Sequence, residues 1–119
     1  MDIEFLREYC LSKPATTESF PFDEVTLVFK VMNKMYALVG LERLPPAVNL
    51  KCDPERAIEL REEYDGAIIP GFHMSKKHWN TVMLEDVDDK LIIELVDHSY
   101  DLVVSKMTKK DREALKEMQ

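Results

Sequence analysis

The chain is predicted to fold as one α+β domain of order α-β3-α-β2-α, with the helices covering an antiparallel sheet. Three observations predict this. Segments whose apolar residues recur at helical spacing are separated by short segments that alternate apolar and polar residues. Proline and glycine mark the ends of these segments or the loops between them. No repeat, low-complexity tract or linker divides the 119 residues, a length at which one domain buries roughly two thirds of its unfolded surface.

From Asp2 to Lys13, Ile3, Leu6 and Cys10 keep helical spacing with Phe5 and Tyr9 beside them; acids open the segment, Lys13 closes it and Pro14 stops it. Residues 14–23 combine two prolines with small hydroxyl residues and read as a loop anchored by aromatics. Val25, Leu27, Phe29 and Val31 form an alternating strand, Asn33-Lys34 offers a tight turn, and Met35 to Leu41 completes a hairpin. Pro45-Pro46 breaks the chain before a third short strand, Ala47 to Lys51.

Asp53-Pro54-Glu55 opens the next helix. The aspartate can accept an unpaired backbone N–H, proline suits the first helical position, and the acids suit the positive end of the dipole. This helix is expected from Pro54 to about Tyr64, with Gly66 closing it. Ala67 to Met74 and Trp79 to Leu84, separated by Ser75-Lys76-Lys77, read as a second hairpin. After the acidic turn Glu85 to Asp89, a long apolar helix carries Leu91, Leu95 and Leu102 with Ile92, Val96, Tyr100 and Val103 as far as Met107. Thr108 and Asp111 have capping-box spacing and start a short terminal helix through Ala114 and Leu115.

Hydrophobic residues make up 45% and charged residues 33%, the balance of an ordinary globular protein. The formal charge of −7 works against non-specific attachment to phosphate backbones or anionic lipid, so any anion binding has to be local. The start, Met1-Asp2-Ile3-Glu4, lacks a basic and apolar leader, and no apolar run approaches the ~18 residues of a membrane helix. A cytoplasmic protein without membrane attachment is expected. Cys10 and Cys52 belong to no C-x-x-C pair and read as reduced core residues.

No motif joins Cys10 or a serine to His73, His78 or His98 as nucleophile and base, and Gly40, Gly66 and Gly71 are too scattered to cradle a phosphate. His73 and His78 lack a neighbouring acid that would complete a metal site. His98 falls on the side of Leu91, Leu95 and Leu102 and is expected half-buried. A non-enzymatic binding protein without cofactor or metal is therefore expected.

The most informative local feature is the stretch between Asp65 and Glu85, which contains no acid although the chain is acidic. It holds His73, Lys76, Lys77, His78, Trp79 and Asn80. Such a wing could meet phosphates through lysine and stack a base on tryptophan, aided by Lys51, Arg56 and the cluster from Lys106 to Arg112. The same residues are more simply open to a plainer reading, in which Trp79 is a core aromatic, Lys76 and Lys77 solubilise a turn, and the late cations complement a helix dipole.

Val48 to Arg56, Pro70-Gly71-Phe72-His73-Met74, Lys77 to Val82 and His98 to Val103, with Phe20-Pro21-Phe22 and the hairpin Leu27 to Leu38, together resemble the YjbR/MmcQ family of small bacterial proteins. The resemblance spans nearly the whole chain. It implies a CyaY-like or secretion-chaperone-like α+β fold and a double-wing DNA-binding role. Two partners follow as expectations: DNA at the hairpin from Lys76 to Asn80, or another protein on an exposed apolar sheet face, which the seven methionines and acidic surface suit. An iron-handling role would need more acids than Asp2, Glu4 and Glu8 on the first helix, where ordinary solvation explains them.

Overall fold

Asp2 caps the first helix, its carboxylate accepting the Phe5 backbone N–H at 2.8 Å, and α1 (Ile3–Ser12) buries Leu6 and Cys10. These and all following observations come from a computed structural model, which describes residues 1–118. The segment expected to be a loop up to residue 23 instead contains a strand, β1 (Thr16–Ser19), paired with β2 (Thr26–Val31) so that Thr16 lies opposite Val31. Its prolines flank it without entering it, and polar residues suit a strand at the border of a sheet.

β2 turns into β3 (Lys34–Gly40) through Met32 and Asn33, both at positive φ, 48° and 68°. A two-residue loop of this hand matches the twist of the strands, and it sits one residue earlier than the expected Asn33-Lys34. The register shifts between Phe29 and Lys30, which pair with Ala37 and Met35 and leave Tyr36 as an extra residue. This bulge lets the consecutive Tyr36 and Ala37 both be buried.

β4 (Ala47–Lys51) leads to α2 (Pro54–Glu63), whose Asp53 cap accepts the Arg56 N–H as the sequence indicates. The next strand is shorter than the expected 67–74: β5 (Ile68–Pro70) pairs with β6 (Trp79–Met83), and the ladder ends where the Gly71 N–H donates to the Trp79 carbonyl at 2.9 Å. Beyond it Met74 bonds back to Gly71, and His73 takes positive φ, so the chain turns instead of extending. α3 (Asp89–Ser105) and α4 (Lys109–Glu117) follow, the latter capped by Thr108 as expected.

The strands form one antiparallel sheet of order β1-β2-β3-β4-β6-β5. Alternation then divides it into two faces. Leu27, Phe29, Val48, Leu50 and Val82 join the main core with Leu6, Ile92, Leu95 and Val96 of the helices. Each such side chain contributes about 1.5–3 kcal/mol on full burial. α3 lies across β2, β3 and β4, with Leu91 and Leu102 only half-buried at the margins of its stripe. Ser99 fixes its position, donating to the Tyr36 carbonyl at 2.5 Å and accepting the Lys51 N–H at 2.9 Å. All helices among the described residues pack on this side. The opposite face holds a smaller cluster of Val28, Leu38 and Trp79, flanked by Met35 and Met74. No helix among the described residues is long and apolar enough to cross a membrane.

Candidate functional site

The expected cationic and aromatic wing comes apart in three dimensions. Lys76, Lys77 and His73 are exposed and His78 is half-buried, but Trp79 is only 8% and Asn80 only 2% exposed. The indole packs with Val28 and Leu38 on the helix-free face, so it is not free to stack on a base. Asn80 points toward α2: its Oδ1 accepts the Arg61 Nε–H at 2.7 Å and its Nδ2 donates to the Ala57 carbonyl. Arg61 also donates to the Lys76 and Trp79 carbonyls and thereby pins the hairpin to α2. Sequence reading did not single out Arg61, because its partners lie 15 to 19 residues away and no local pattern marks them.

The other predicted site residues are dispersed. Arg56 is engaged with Glu94 at 2.6 Å. Lys51 is half-buried opposite Trp79 across β4 and β6, and so belongs to the helix-free face. His98 is half-buried as expected. Its Nε2 accepts the Asp53 N–H at 3.2 Å, and burial, reinforced by the nearby Arg56 charge, lowers its pKa. Cys10 and Cys52 are buried thiols pushed up to about 12 and about 11, chiefly by burial, which makes them poor nucleophiles near neutral pH. Among the described residues no three His, Cys, Asp or Glu side chains gather as a metal site.

A well-formed concavity lies elsewhere, over the helix-free face. Loops before β2, after β3 and after β5 enclose a cleft of about 690 Å³. Thr26, Leu38 and Asn49 come from the strands, while Phe22, Leu44 and Phe72 come from the loops and are 63%, 88% and 59% exposed. The polar groups are held in place. Asp23 accepts the Val25 and Thr26 N–H groups at 2.9 and 2.7 Å, and these bonds keep its carboxyl below the usual range. Arg43 stands over the Phe72 ring at 5.6 Å, and the His73 ring lies 4.0 Å from it. Thr81, buried beneath, donates to Asn49 and accepts the Phe72 N–H, so the Phe72 backbone is tied to the sheet. Of this rim, the aromatics of Phe20-Pro21-Phe22 were legible as loop anchors; Arg43 and Leu44 carried no signal in one dimension.

A family model described as YjbR matches residues 11–102. The uncharacterised YjbR protein of Escherichia coli (strain K12) is 35% identical over 116 residues, covering 97% of this chain and 98% of its own. The uncharacterised YyaQ protein of Bacillus subtilis (strain 168) is 41% identical over 77 residues, covering 64% of this chain and 63% of its own. The crystal structure of Deinococcus radiodurans protein DR2400, with a DUF419 domain, superposes with a TM-score of 0.89 at 45% identity, covering 95% of this chain and 86% of that one. Near end-to-end similarity in both sequence and backbone shows that this chain belongs to the YjbR family.

Proposed function

We propose that this chain is a binding protein, not an enzyme, which takes apolar side chains of a protein partner into the cleft on the helix-free face of its sheet. The observation that carries the reading is the exposure of Phe22, Leu44 and Phe72 around one concavity. Apolar surface left in water forgoes about 25 cal/mol per Å², which a covering partner recovers. Clustered exposure of this kind marks interaction sites rather than ordinary surface. Asp23, held by its backbone bonds, with Arg43 and His73 beside the Phe72 ring, supplies polar groups to orient what enters.

A displayed peptide library panned on the full chain tests this. Peptides with aromatic or aliphatic anchors are expected to be enriched, and to lose at least tenfold in affinity against Leu44→Ser with Phe72→Ser. Both positions are exposed, so the variant is expected to keep its unfolding midpoint. Selected peptides that bind the variant equally well would sink the proposal.

A second reading, DNA binding, draws support from Lys76 and Lys77, which stand exposed and without an ion pair among the described residues. Because Trp79 and Asn80 are committed inside, such contact would be to phosphates and indifferent to sequence. A labelled duplex should then bind at low salt and release at physiological salt, more weakly with Lys76→Ala and Lys77→Ala. Absence of binding at low salt would remove this reading.

A further inference from the structure

Toward the β2–β3 turn, away from the cleft, a second pocket of about 340 Å³ gathers three cations from three separate elements. Lys34 opens β3, Lys51 closes β4, and Lys106 caps the C-terminal end of α3. Met35, Met107 and Trp79 supply its apolar surface. None of the three lysines is in an ion pair among the described residues. In a chain with 23 acidic and 16 basic residues, an uncompensated cluster of this sign is against the grain.

Complementing the helix dipole accounts for Lys106 but leaves Lys34 and Lys51 without a role. Solubilising a surface does not account for Lys51 either. It is half-buried, and desolvation first, then the charges of Lys106 and Lys34, hold its ammonium below the ordinary lysine range. The three charges therefore act on one another, an unfavourable arrangement that an anion bound among them would relieve.

We infer that Lys34, Lys51 and Lys106 form a binding site for the phosphate group of a small phosphorylated molecule, with Met35, Met107 and the Trp79 edge receiving its non-ionic part. The volume lies near the lower end of small-ligand sites, which run from roughly 300 to 1,000 Å³, and fits a phosphomonoester better than a polymer. Ammonium groups bind phosphate as mobile point charges, so lysines from separate elements converge on it without needing a fixed fork. This inference is independent of the cleft and of the Lys76–Lys77 hairpin.

Trp79 is the chain's single tryptophan and lines this pocket, so its emission reports on it directly. The full chain is titrated with inorganic phosphate, pyrophosphate and ribose 5-phosphate, against sodium chloride at matched ionic strength. An unphosphorylated thymidine oligonucleotide forms a parallel arm. A saturable change with at least one small phosphate is expected, with its midpoint raised tenfold or more in Lys51→Met and Lys106→Met. Methionine keeps the apolar stem, and relief of like-charge repulsion should leave the ligand-free unfolding midpoint unchanged or higher. Equilibrium dialysis against each of the three small phosphates in radiolabelled form reads the same site without depending on the indole, and retention of at least one is expected. Three results overturn the inference: retention no greater than that of a chloride control, equal binding by both variants, or binding of the oligonucleotide but of none of the small phosphates.

Discussion

Arg61 donates its Nε–H to the side-chain oxygen of Asn80 at 2.7 Å, joining α2 to β6 across 19 residues of sequence. Asn80 is almost wholly buried and its amide nitrogen is already given to the Ala57 carbonyl, so its oxygen has no water to fall back on.

Arg61→Met keeps much of the packing volume and removes the donor. It is expected to destabilise the fold by about 1–3 kcal/mol, the cost of leaving a buried acceptor unpaired. Urea midpoints measure this. The carbonyls of Lys76 and Trp79 lose a donor in the same variant, so limited proteolysis should move to residues 72–78. An unchanged midpoint with unchanged cleavage would show that the guanidinium is ornamental.

Gly71 permits the closest approach within the same hairpin. A Cβ there would lie 2.7 Å from the Trp79 Cβ and 3.0 Å from its carbonyl oxygen, and neither atom is the far end of a flexible side chain. Gly71→Ala should cost about 1–3 kcal/mol by overpacking and shift Trp79 emission to longer wavelength as the ladder opens. Gly66 differs: at φ 79° it has open space around it, so Gly66→Ala should cost only the left-handed backbone penalty, about 1 kcal/mol, with emission unchanged. Thermal unfolding of the two variants side by side separates the mechanisms.

Neither thiol should react in the native state. With Cys10 raised to about 12 and Cys52 to about 11, and both buried, almost no thiolate is present at pH 8. Ellman's reagent is expected to label neither quickly in buffer and both in denaturant. Rapid native labelling of Cys52 would indicate local opening between β4 and α2.

His98 gives the fold a mild acid sensitivity. Its folded pKa lies below the ordinary 6.5, because burial and Arg56 outweigh the opposing Asp53, Asp101 and Glu94 charges. A depressed pKa means that the unfolded chain takes up the proton first. The contribution is therefore complete above 6.5 and is lost as pH falls through the folded value. Protonation also removes the acceptor for the Asp53 N–H. Between pH 7.5 and 5.0 the native chain should lose up to about 1 kcal/mol more than His98→Gln, which keeps an acceptor that does not titrate. Equal losses would assign the acid response to other groups.

Local chemistry was legible in the sequence wherever a residue acts on its own neighbourhood. Asp2, Asp53 and Thr108 each cap the helix they were expected to open, and Val25 to Val31 and Ala47 to Lys51 closely bracket strands. What was not legible depends on distant partners. Thr16–Ser19 has no apolar alternation of its own and becomes a strand only because β2 offers it backbone groups. The run Ala67 to Met74 is apolar enough for a long strand, yet its second half is bent away to form a wall of the cleft. Trp79 could not be assigned inside or outside by composition, since the same indole serves a core or a surface. Only the register that sets it opposite Lys51 decides the question.

The two outer strands of the sheet, β1 and β5, have a bearing on how anything attaches to this molecule. They are four and three residues long, one wholly polar and the other ending in proline. A visiting chain seeking to continue the ladder finds almost no free amide row to dock against. Strand addition and runaway stacking between copies are thereby discouraged, and selectivity falls to the side chains displayed broadside.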